Sequence, residues 1–493
     1  MPIPFTQIPE ILLVPGQYQE IDNSLAGSTG DIKKALIIAY KSAAGTAPAG
    51  MPVRVLTDLK AASLFGYGSP AAILAKTFLA LNKIEECWVL PVDAPGAATP
   101  WQVTYTVAVT AAQKGAAAIA VNGQKIDAAA ISANATPEEV AAAIVARINS
   151  ELWLPVEAEA GENGEFTVKS AVAGTGGNFN AVSIHSEAAG VTVTAGEIIP
   201  GTQVASIKKL LSGDELFPGL GSVRYNYIIS DFSDSENIAA LGEELVSRYG
   251  AMRQIGGRAF VAVSGEIGSV SEPGTVLAQA EAVNNPHIVL VPRLTDPRLP
   301  GEWAVRWCAI ACRILADDPA ANTYDLTVTG LTSNVVVDAD TRQILLTAGI
   351  ATYRLDTTGN VLIERLVTSY TQNTDGGRDT SYLDIQATET VDAVRTYINA
   401  EAKKRYKTWK LASTEENFGS GAKVMTAGIF RSFLCELYQA VFIQQKRWCQ
   451  DFDGYKNSLI VEIKKGSKTW LEYSHQPNLI GQFYIAAGLT QFK

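Results

Sequence analysis

Two stretches near the end of the sequence decide the fold class: residues 348–370, AGIATYRLDTTGNVLIERLVTSY, and residues 468–492, KTWLEYSHQPNLIGQFYIAAGLTQF. In the first, runs rich in β-branched residues flank Thr358-Gly359-Asn360, and this pattern predicts a β-hairpin. The second is a strand-forming terminus broken only at Gly481 and Gly488. A terminal strand must pair with its own sheet or with the sheet edge of another molecule.

The length and composition of the chain limit the classes of protein to which it can belong. A chain of 493 residues with 47% hydrophobic and 18% charged residues predicts a globular protein of two to four domains. No apolar run approaches 18 residues, so no transmembrane helix is expected. The start, MPIPFTQIPEILLVPGQ, lacks the basic and apolar regions of a secretory signal. Five cysteines, an odd number, fit a reducing compartment.

The charge is unevenly distributed along the chain. Residues 395–493 contain 15 Lys and Arg against 8 Asp and Glu, a net charge of +7, so the preceding residues carry −17 of the total of −10. A basic end on an acidic protein indicates an acidic partner surface or self-association between the two halves. Because the basic residues are spread over nearly a hundred positions, nucleic acid is the weaker interpretation.

The first 22 residues are predicted to form an extended arm. Proline at positions 2, 4, 9 and 15 disfavours a helix and favours an extended segment or edge strand. The apolar side chains of the arm need cover from elsewhere; they are Ile3, Phe5, Ile8, Ile11, Leu12 and Val14.

Residues 23–100 and 202–345 are predicted to form an α/β domain with a doubly wound, mostly parallel sheet. KALIIAY at residues 34–40 is typical of a buried strand, and Ser69-Pro70 opens a helix. Further strands are expected at residues 87–92, 225–230, 259–264 and 287–292, and helices at residues 236–249, 275–284 and 302–315.

Residues 101–201 are predicted to form a small ββα-ββ insertion in that domain. Asn122-Gly123 is a strong two-residue hairpin signal. Thr136-Pro137-Glu138-Glu139 is a capping box with proline at the first helical position, so a helix begins here.

Residues 346–466 are predicted to form an α+β C-terminal domain. The region from 334 to 370 is strand-rich, helices are expected at residues 390–409 and 426–442, and Leu459, Val461 and Ile463 alternate as in a strand. Residues 467–493 are then expected to be a second arm; its apolar residues include Leu479, Ile480, Phe483, Tyr484, Ile485 and Phe492.

The order of these segments resembles one protein family. Residues 349–353 read GIATY, and after a turn residues 364–370 read ERLVTSY, with Ser369 where many relatives have a second Thr. With residues 34–92 before them and the block from Ser381 after them, they resemble the tail sheath proteins of contractile-tailed, Mu-like phages. The resemblance covers nearly the whole chain and rests on segment order rather than on one diagnostic motif.

The resemblance implies a structural subunit, not an enzyme, that polymerises as stacked six-fold rings around a tail tube and contracts to drive the tube through the host envelope. It implies as partners further copies of the chain, the tail tube protein, and the baseplate and tail terminator proteins, without nucleic acid or membrane insertion. It implies a location in the virion tail, after assembly in the host cytoplasm.

The resemblance also assigns roles to segments. Both arms would add strands to C-terminal domains of neighbouring subunits, with Leu459, Val461 and Ile463 as the accepting strand. The C-terminal domain would lie against the tube, where Lys403, Lys404, Arg405 and Lys407 would meet an acidic surface. A solvated helix end is the alternative interpretation of these four cations.

The sequence contains no motif typical of a catalytic, nucleotide-binding or zinc site. G-x-x-x-x-G-K-[ST], H-E-x-x-H, C-x-x-C and G-x-S-x-G motifs are all absent, and we predict no catalytic residue, cofactor or metal ligand. The rival is Asp231-Phe232-Ser233-Asp234-Ser235, a D-x-S-x-S run similar to the metal-binding loop of von Willebrand A-type domains, with Thr295 and Asp296 as further candidate ligands. It supports the alternative of a metal-dependent adhesion or enzymatic domain, whereas the simpler interpretation is a helix cap at Ser233 or Asp234.

Overall fold

The computed structural model describes residues 32–416, 418–419 and 421–492. The chain divides into two compact units, Met1–Ile32 and Lys33–Lys493, and all elements below belong to the second. The arm predicted at residues 1–22, with Ile3 to Val14, lies outside the described residues. Of the helices described, none is long and apolar enough to cross a membrane.

The strands in the described part of the chain are β1 Lys34–Tyr40, β2 Val53–Val55, β3 Glu86–Val92, β4 Gln102–Val109, β5 Gly115–Val121, β6 Gln124–Ile131, β7 Val156–Ala160, β8 Glu165–Ser170, β9 Val182–Ser186, β10 Val191–Ile199, β11 Tyr227–Ser230, β12 Arg258–Ser264, β13 Ile288–Leu294, β14 Leu326–Thr332, β15 Thr352–Leu355, β16 Asn360–Arg365, β17 Lys410–Leu411, β18 Val424–Met425, β19 Cys449–Gln450, β20 Ile460–Ile463, β21 Leu471–Ser474 and β22 Asn478–Leu479.

The α-helices are α1 Asp58–Phe65, α2 Pro70–Leu81, α3 Pro137–Ser150, α4 Lys208–Ser212, α5 Ser235–Tyr249, α6 Val276–Glu281, α7 Pro300–Leu315, α8 Ala339–Thr347, α9 Ile385–Tyr406, α10 Ala427–Glu436 and α11 Phe452–Ser458. A short 3-10 helix spans Thr175–Phe179, and a π-helix, Leu437–Gln445, continues α10.

The largest sheet has six strands in the order β13-β12-β11-β1-β3-β2. Neighbours from β13 to β3 run parallel, and β2 is antiparallel to β3 at one edge. β1, β12 and β13 are buried along almost their whole length, as parallel strands are when both faces are covered. Helices α2 and α7 pack on this sheet and on each other, and Trp303 and Trp307 of α7 are fully buried. The predicted mixed α/β architecture is confirmed.

Residues 102–199 form two smaller sheets, β10-β4-β8-β7 and β6-β5-β9, around a hydrophobic cluster of their own. Helix α3 begins at the predicted capping box, in which the side chains of Thr136 and Glu139 each accept a hydrogen bond from the other's backbone N–H. Asn122 and Gly123 have φ of 52° and 75°, the left-handed conformation that a two-residue type I′ hairpin requires.

The expectation that residues 334–370 are mainly strands is wrong for the first half, which contains α8. Asp338 caps this helix by accepting a hydrogen bond from the N–H of Thr341 at 2.7 Å, and Leu345 is buried beneath it. The hairpin of β15 and β16 follows as predicted, with Gly359 at a φ of 82° in its turn.

Helix α9 joins two hydrophobic cores. Ile385 at its start belongs to the core of the large sheet, whereas Val394 and Ile398 belong to a separate cluster with α10 and the π-helix. The second predicted C-terminal helix, at residues 426–442, is observed as α10 and most of the π-helix. A single 22-residue helix therefore links the α/β part to the C-terminal part.

A buried polar cluster fixes α9 on the large sheet. The guanidinium of Arg258, fully buried at the start of β12, donates to Thr388 Oγ1 at 2.8 Å and lies 3.2 Å from the Glu389 carboxylate. Its Nη1 also lies 3.2 Å from Nδ1 of His287. About two turns further along α9, the guanidinium of Arg395 stacks on the ring of Tyr249 at 4.1 Å. Because loss of one partner leaves a buried charge uncompensated, this cluster holds the helix in one position.

This cluster predicts a pH-dependent stability. Burial, with the charges of Arg258 and Arg395, lowers the pKa of His287 to about 3. Since that pKa lies below the unfolded value, the stability is complete above about pH 6.5 and is lost as the pH falls towards 3, by about 1.4 kcal/mol per pH unit. Urea unfolding between pH 6 and pH 4 should show this loss in wild type and a smaller slope in His287→Asn.

The matched control for this measurement is His185→Gln, which changes an exposed histidine on β9. Its slope should equal that of wild type, because the carboxyl groups that also respond to pH are the same in both proteins. Equal slopes in His287→Asn and wild type would contradict the assignment.

Candidate assembly interface

The hairpin of β20 and β21 has an open edge on each side. The two strands pair antiparallel, and among the residues described no third strand joins them. The N–H of Lys464 bonds to the carbonyl of Trp470 at 3.0 Å, which fixes the hydrogen-bonding alternation along the ladder. By that alternation the N–H and C=O groups of Val461 and Ile463 point away from β21. Two residues of the predicted accepting strand therefore present unpaired backbone.

The third residue of the predicted accepting strand has a different role. Leu459 precedes β20, is 2% exposed and packs in the C-terminal hydrophobic cluster. Its carbonyl accepts a hydrogen bond from the guanidinium of Arg431 in α10. The assignment of Leu459 to the accepting edge is wrong because its side chain and carbonyl are both used inside the molecule.

Large apolar side chains lie on and around this hairpin. Ile460, Trp470 and Tyr473 are 59%, 54% and 39% exposed, and Ile429 on α10 is 39% exposed. Phe430 packs against Tyr473 with ring centroids 5.5 Å apart. The open edge is thus bordered by apolar surface, as expected of a surface that another chain covers.

The chain after β21 first returns to its own molecule. β22 pairs antiparallel with β19, with Leu479 opposite Cys449, and the N–H of Ile480 bonds to the carbonyl of Trp448 at 3.0 Å. The expectation of a detached arm from residue 467 is therefore wrong as far as Ile480. Its pairing partner lies about thirty residues earlier in the chain, beyond the reach of any local pattern.

The next residues, 482–484, contact three other segments of the chain. The amide of Gln482 donates to the carbonyl of Ala320 at 3.0 Å, and the amide of Asn322 lies 3.4 Å from the carbonyl of Phe483. Tyr484 contacts Gln386 of α9 through its hydroxyl at 3.4 Å and carries the guanidinium of Arg365 at 4.9 Å from its ring centroid. Burial raises the pKa of Tyr484 to about 12. Tyr484 therefore anchors the tail rather than belonging to the detached part.

Only the last segment, residues 485–492, matches the predicted arm. It forms no helix or strand, and its backbone makes no hydrogen bond with other residues that the structure describes. Ile485, Leu489 and Phe492 are 80%, 86% and 95% exposed. As a strand, eight residues would span about 26 Å, which is ample to pair along β20.

The four predicted tube-facing cations lie at the end of α9 but differ in their surroundings. Lys404 pairs with Glu401 at 3.3 Å, and Arg405 with Glu401 at 2.9 Å and with Glu436 at 3.0 Å. Lys403 and Lys407 are exposed one turn apart, and no ion-pair partner for them lies within the described ranges. The available positive charge is therefore at Lys403 and Lys407.

The Asp231 loop is built from helix caps. The Asp234 carboxylate accepts a hydrogen bond from the N–H of Asn237 at 3.0 Å and so starts α5. The Asp231 carboxylate accepts one from the N–H of Gly301 in the first turn of α7. Asp296 accepts one from the indole of Trp303 at 3.2 Å, and Thr295 is exposed. The capping interpretation of Asp234 is confirmed.

The described residues outside the Asp231 loop also provide no metal-binding cluster. Across residues 32–416, 418–419 and 421–492, no group of three His, Cys, Asp or Glu side chains is arranged to hold a metal ion. No observation favours the alternative of a metal-dependent adhesion or enzymatic domain.

Comparison with known proteins agrees with the sequence resemblance. The tail sheath protein of the Mu-like prophage FluMu of Haemophilus influenzae is 29% identical, with full coverage of both chains. Among solved structures, the chain is similar to the sheath tail protein of Desulfitobacterium hafniense, with a TM-score of 0.45 and 11% identity over 94% of this chain and 100% of that one. It is also similar to the contracted helical sheath of the anti-feeding prophage, with a TM-score of 0.46 and 11% identity over 98% and 99% of the chains. No protein-family model matches the chain.

The full-length similarity to the Haemophilus protein confirms the resemblance to Mu-like tail sheath proteins. That relative is named as a tail sheath protein, which agrees with the prediction of a structural subunit rather than an enzyme.

The tail geometry predicts where the chain can be shortened without loss of stability. A chain ending at Tyr484 should unfold within about 1 °C of wild type because it loses only exposed side chains. A chain ending at Pro477 also loses β22 and the anchor, and its Tm should fall by several degrees. Calorimetry of the dispersed proteins measures both values, and an equal loss in the two truncations would contradict an anchor at Tyr484.

Proposed function

We propose that the chain is the structural subunit of a contractile tail sheath, which polymerises as stacked six-fold rings around a tail tube and contracts to drive the tube through a host envelope. Full-length similarity to a tail sheath protein supports this function. Further copies of the chain, the tail tube protein, and the baseplate and tail terminator proteins are the proposed partners. The proposed location is the virion tail, after assembly in the host cytoplasm.

One observation carries the assembly proposal. The molecule has both halves of a strand-exchange contact: the unpaired edge of β20, with Val461 and Ile463, and the unpaired apolar segment 485–492. The two do not pair with each other within the described chain. Backbone groups that become covered must find hydrogen-bond partners, and addition of a strand to an open edge supplies them. We infer that segment 485–492 of one copy pairs with β20 of the next.

The proposed energy source for contraction is an increase in the apolar area buried between subunits, from the extended to the contracted state. About 200 Å² of additional apolar burial per subunit would stabilise the contracted state by about 5 kcal/mol, as an upper estimate. Summed over many subunits, this is enough for mechanical work. The absence of a nucleotide-binding loop from the sequence agrees with such a source.

The proposed domain organisation follows the sequence prediction with two changes. Residues 23–100 and 202–345 belong to the doubly wound α/β domain, and residues 101–201 to an inserted domain that faces outward and has its own hydrophobic cluster. The predicted start of the C-terminal domain at residue 346 moves into α9, because β16 pairs with β14 and residues 350–385 contribute to the core of the large sheet. The domain proposed to face the tube therefore runs from the second half of α9 to residue 466, around the C-terminal cluster. Residues 1–22 remain the proposed N-terminal arm, while the C-terminal arm begins at Ile485 rather than at residue 467.

Val461→Pro tests strand exchange at the accepting edge. Proline removes the outward N–H of Val461 but no hydrogen bond of the β20–β21 ladder, and edge strands tolerate it. We expect a folded protein that forms no tubular polymers by electron microscopy, as we also expect for the chain ending at Tyr484. Val461→Thr, which keeps the N–H, should polymerise like wild type. Normal tubes from the proline variant would exclude pairing at this edge.

The proposed tube contact rests on the two unpaired cations of α9. Lys403→Glu combined with Lys407→Glu places two negative charges where an acidic tube surface is expected, so assembly on purified tail tube should be strongly impaired and more so at low salt. The matched control is Lys60→Glu on the exposed side of α1. If sheath assembles on tube equally well with all three proteins, the tube does not contact this helix end.

A further inference from the structure

A crevice of about 550 Å³ opens at the carboxyl ends of β1, β11 and β12. Tyr40 ends β1, Asp231 follows β11, and Ser264 ends β12. The 3-10 helix Thr175–Phe179 of the insertion forms part of its wall. Its volume lies within the range of small-molecule sites.

This crevice lies at the point where the sheet changes its winding direction. From β1 the chain passes to β3 on one side, whereas from β11 it passes to β12 and then β13 on the other. The carboxyl ends of the two diverging strands, β1 and β11, leave a gap that no crossing connection fills. In open α/β sheets, ligands bind at this position.

The charge of the crevice is negative and unbalanced. Asp231 and Asp234 line it, and neither has an ion-pair partner within the described ranges. Their hydrogen-bond donors are neutral: the backbone N–H of Gly301 for Asp231, and the backbone N–H and side-chain amide of Asn237 for Asp234. Among the described residues, no Lys, Arg or His side chain lines it. Arg293 lies nearby on the ring of Phe179, but its guanidinium bonds to the carbonyl of Arg298.

A buried hydroxyl in the wall lacks a partner. Ser264 is 9% exposed and lines the crevice, and its Oγ makes no hydrogen bond with the part of the chain that the structure describes. Buried polar atoms are normally satisfied, so an unpartnered one beside a cavity indicates a group that binds there. This observation is independent of the two carboxylates.

The side chains that line the crevice indicate which class of ligand it can bind. Two carboxylates in a lining that contains no Lys, Arg or His among the described residues disfavour an anion and favour a cation. A bare metal ion is disfavoured because the described side chains contain no cluster of three acidic, His or Cys ligands, and because the space far exceeds one ion. Tyr40 and Phe179 add aromatic surface, which suits an organic cation with an aliphatic stem.

We propose that this crevice binds an aliphatic primary ammonium group, with Asp231, Asp234 and the Ser264 hydroxyl as its acceptors. The same group occurs on a free polyamine and on a lysine side chain of a second copy of the chain. The proposal is independent of the sheath function, because it concerns the unassembled subunit.

The pH dependence of such binding follows from the surroundings of Asp231. Burial, together with the negative charge of Glu302 in α7, raises the pKa of Asp231 to about 7. Asp234 and the hydroxyl of Tyr40 are the other titratable groups beside it. Burial, with smaller contributions from the two carboxylates, raises the pKa of Tyr40 to about 12. The crevice therefore gains negative charge between pH 6 and pH 8, and ammonium binding should strengthen severalfold over that range.

Calorimetric titration of spermidine, and separately of N-acetyl-lysine amide, into the dispersed full chain at pH 8 and low salt tests the proposal. We expect one saturable site, at least tenfold weaker in the double variant Asp231→Asn, Asp234→Asn and severalfold weaker in Ser264→Ala. Asparagine keeps one oxygen to accept the backbone N–H at each cap, so the variant should remain folded. Asp338→Asn, the same change at the cap of α8, should bind like wild type. The amine that binds more tightly identifies the source of the ammonium group.

Three results would overturn the proposal. They are the absence of binding by both amines, equal binding by the double variant and wild type, and Mg²⁺ binding that the double variant loses while both amines are inert. The last result would assign the crevice to a metal ion instead.

Discussion

The assembly proposed for this molecule depends on unpaired backbone groups at two places, a strand edge and a terminal segment. An exposed strand edge and an exposed strand-forming segment are each open to association, and natural proteins rarely leave such groups unprotected. Here the edge of β20 and the segment 485–492 occur in the same chain without pairing to each other. A chain with both a donor strand and an acceptor edge can associate head to tail, and the rotation between copies decides whether a closed ring or an open polymer results. Such contacts are what the proposed sheath subunit requires.

The anchor at Tyr484 determines what such a contact can transmit. The tail is attached to its own body by β22 and by Tyr484 on α9 and Arg365. Of the described residues, only 485–492 are therefore available for the proposed contact with a neighbour. Helix α9 is in turn fixed to the large sheet by the buried pair of Arg258 and Glu389. A force on the arm therefore acts on the whole described body rather than on a flexible linker. This rigid attachment suits rings that move relative to one another while remaining joined.

Local chemistry explains which features the sequence predicts. β1 is predicted residue for residue, because a parallel strand buried on both faces is an uninterrupted apolar run, and α3 because its capping box is self-contained. The predicted arm fails at Leu479 and Tyr484, whose partners, Cys449 and Gln386, lie far away in sequence. Helix α8 is missed because the β-branched run of three valines at residues 335–337, directly before its cap at Asp338, favours a strand. For the candidate interface, alternation identifies Val461 and Ile463, but only the ladder register shows which backbone groups are unpaired.

Hydrogen exchange of the backbone amides tests strand exchange most directly. In the dispersed protein, the amides of Val461, Ile463 and segment 485–492 should exchange rapidly, because they lack partners. In the polymer the same amides should become protected together, while the amide of Lys464, already bonded within the hairpin, should change little. Protection of Val461 and Ile463 in the dispersed chain, or continued rapid exchange in the polymer, would contradict pairing of the tail with a neighbouring hairpin.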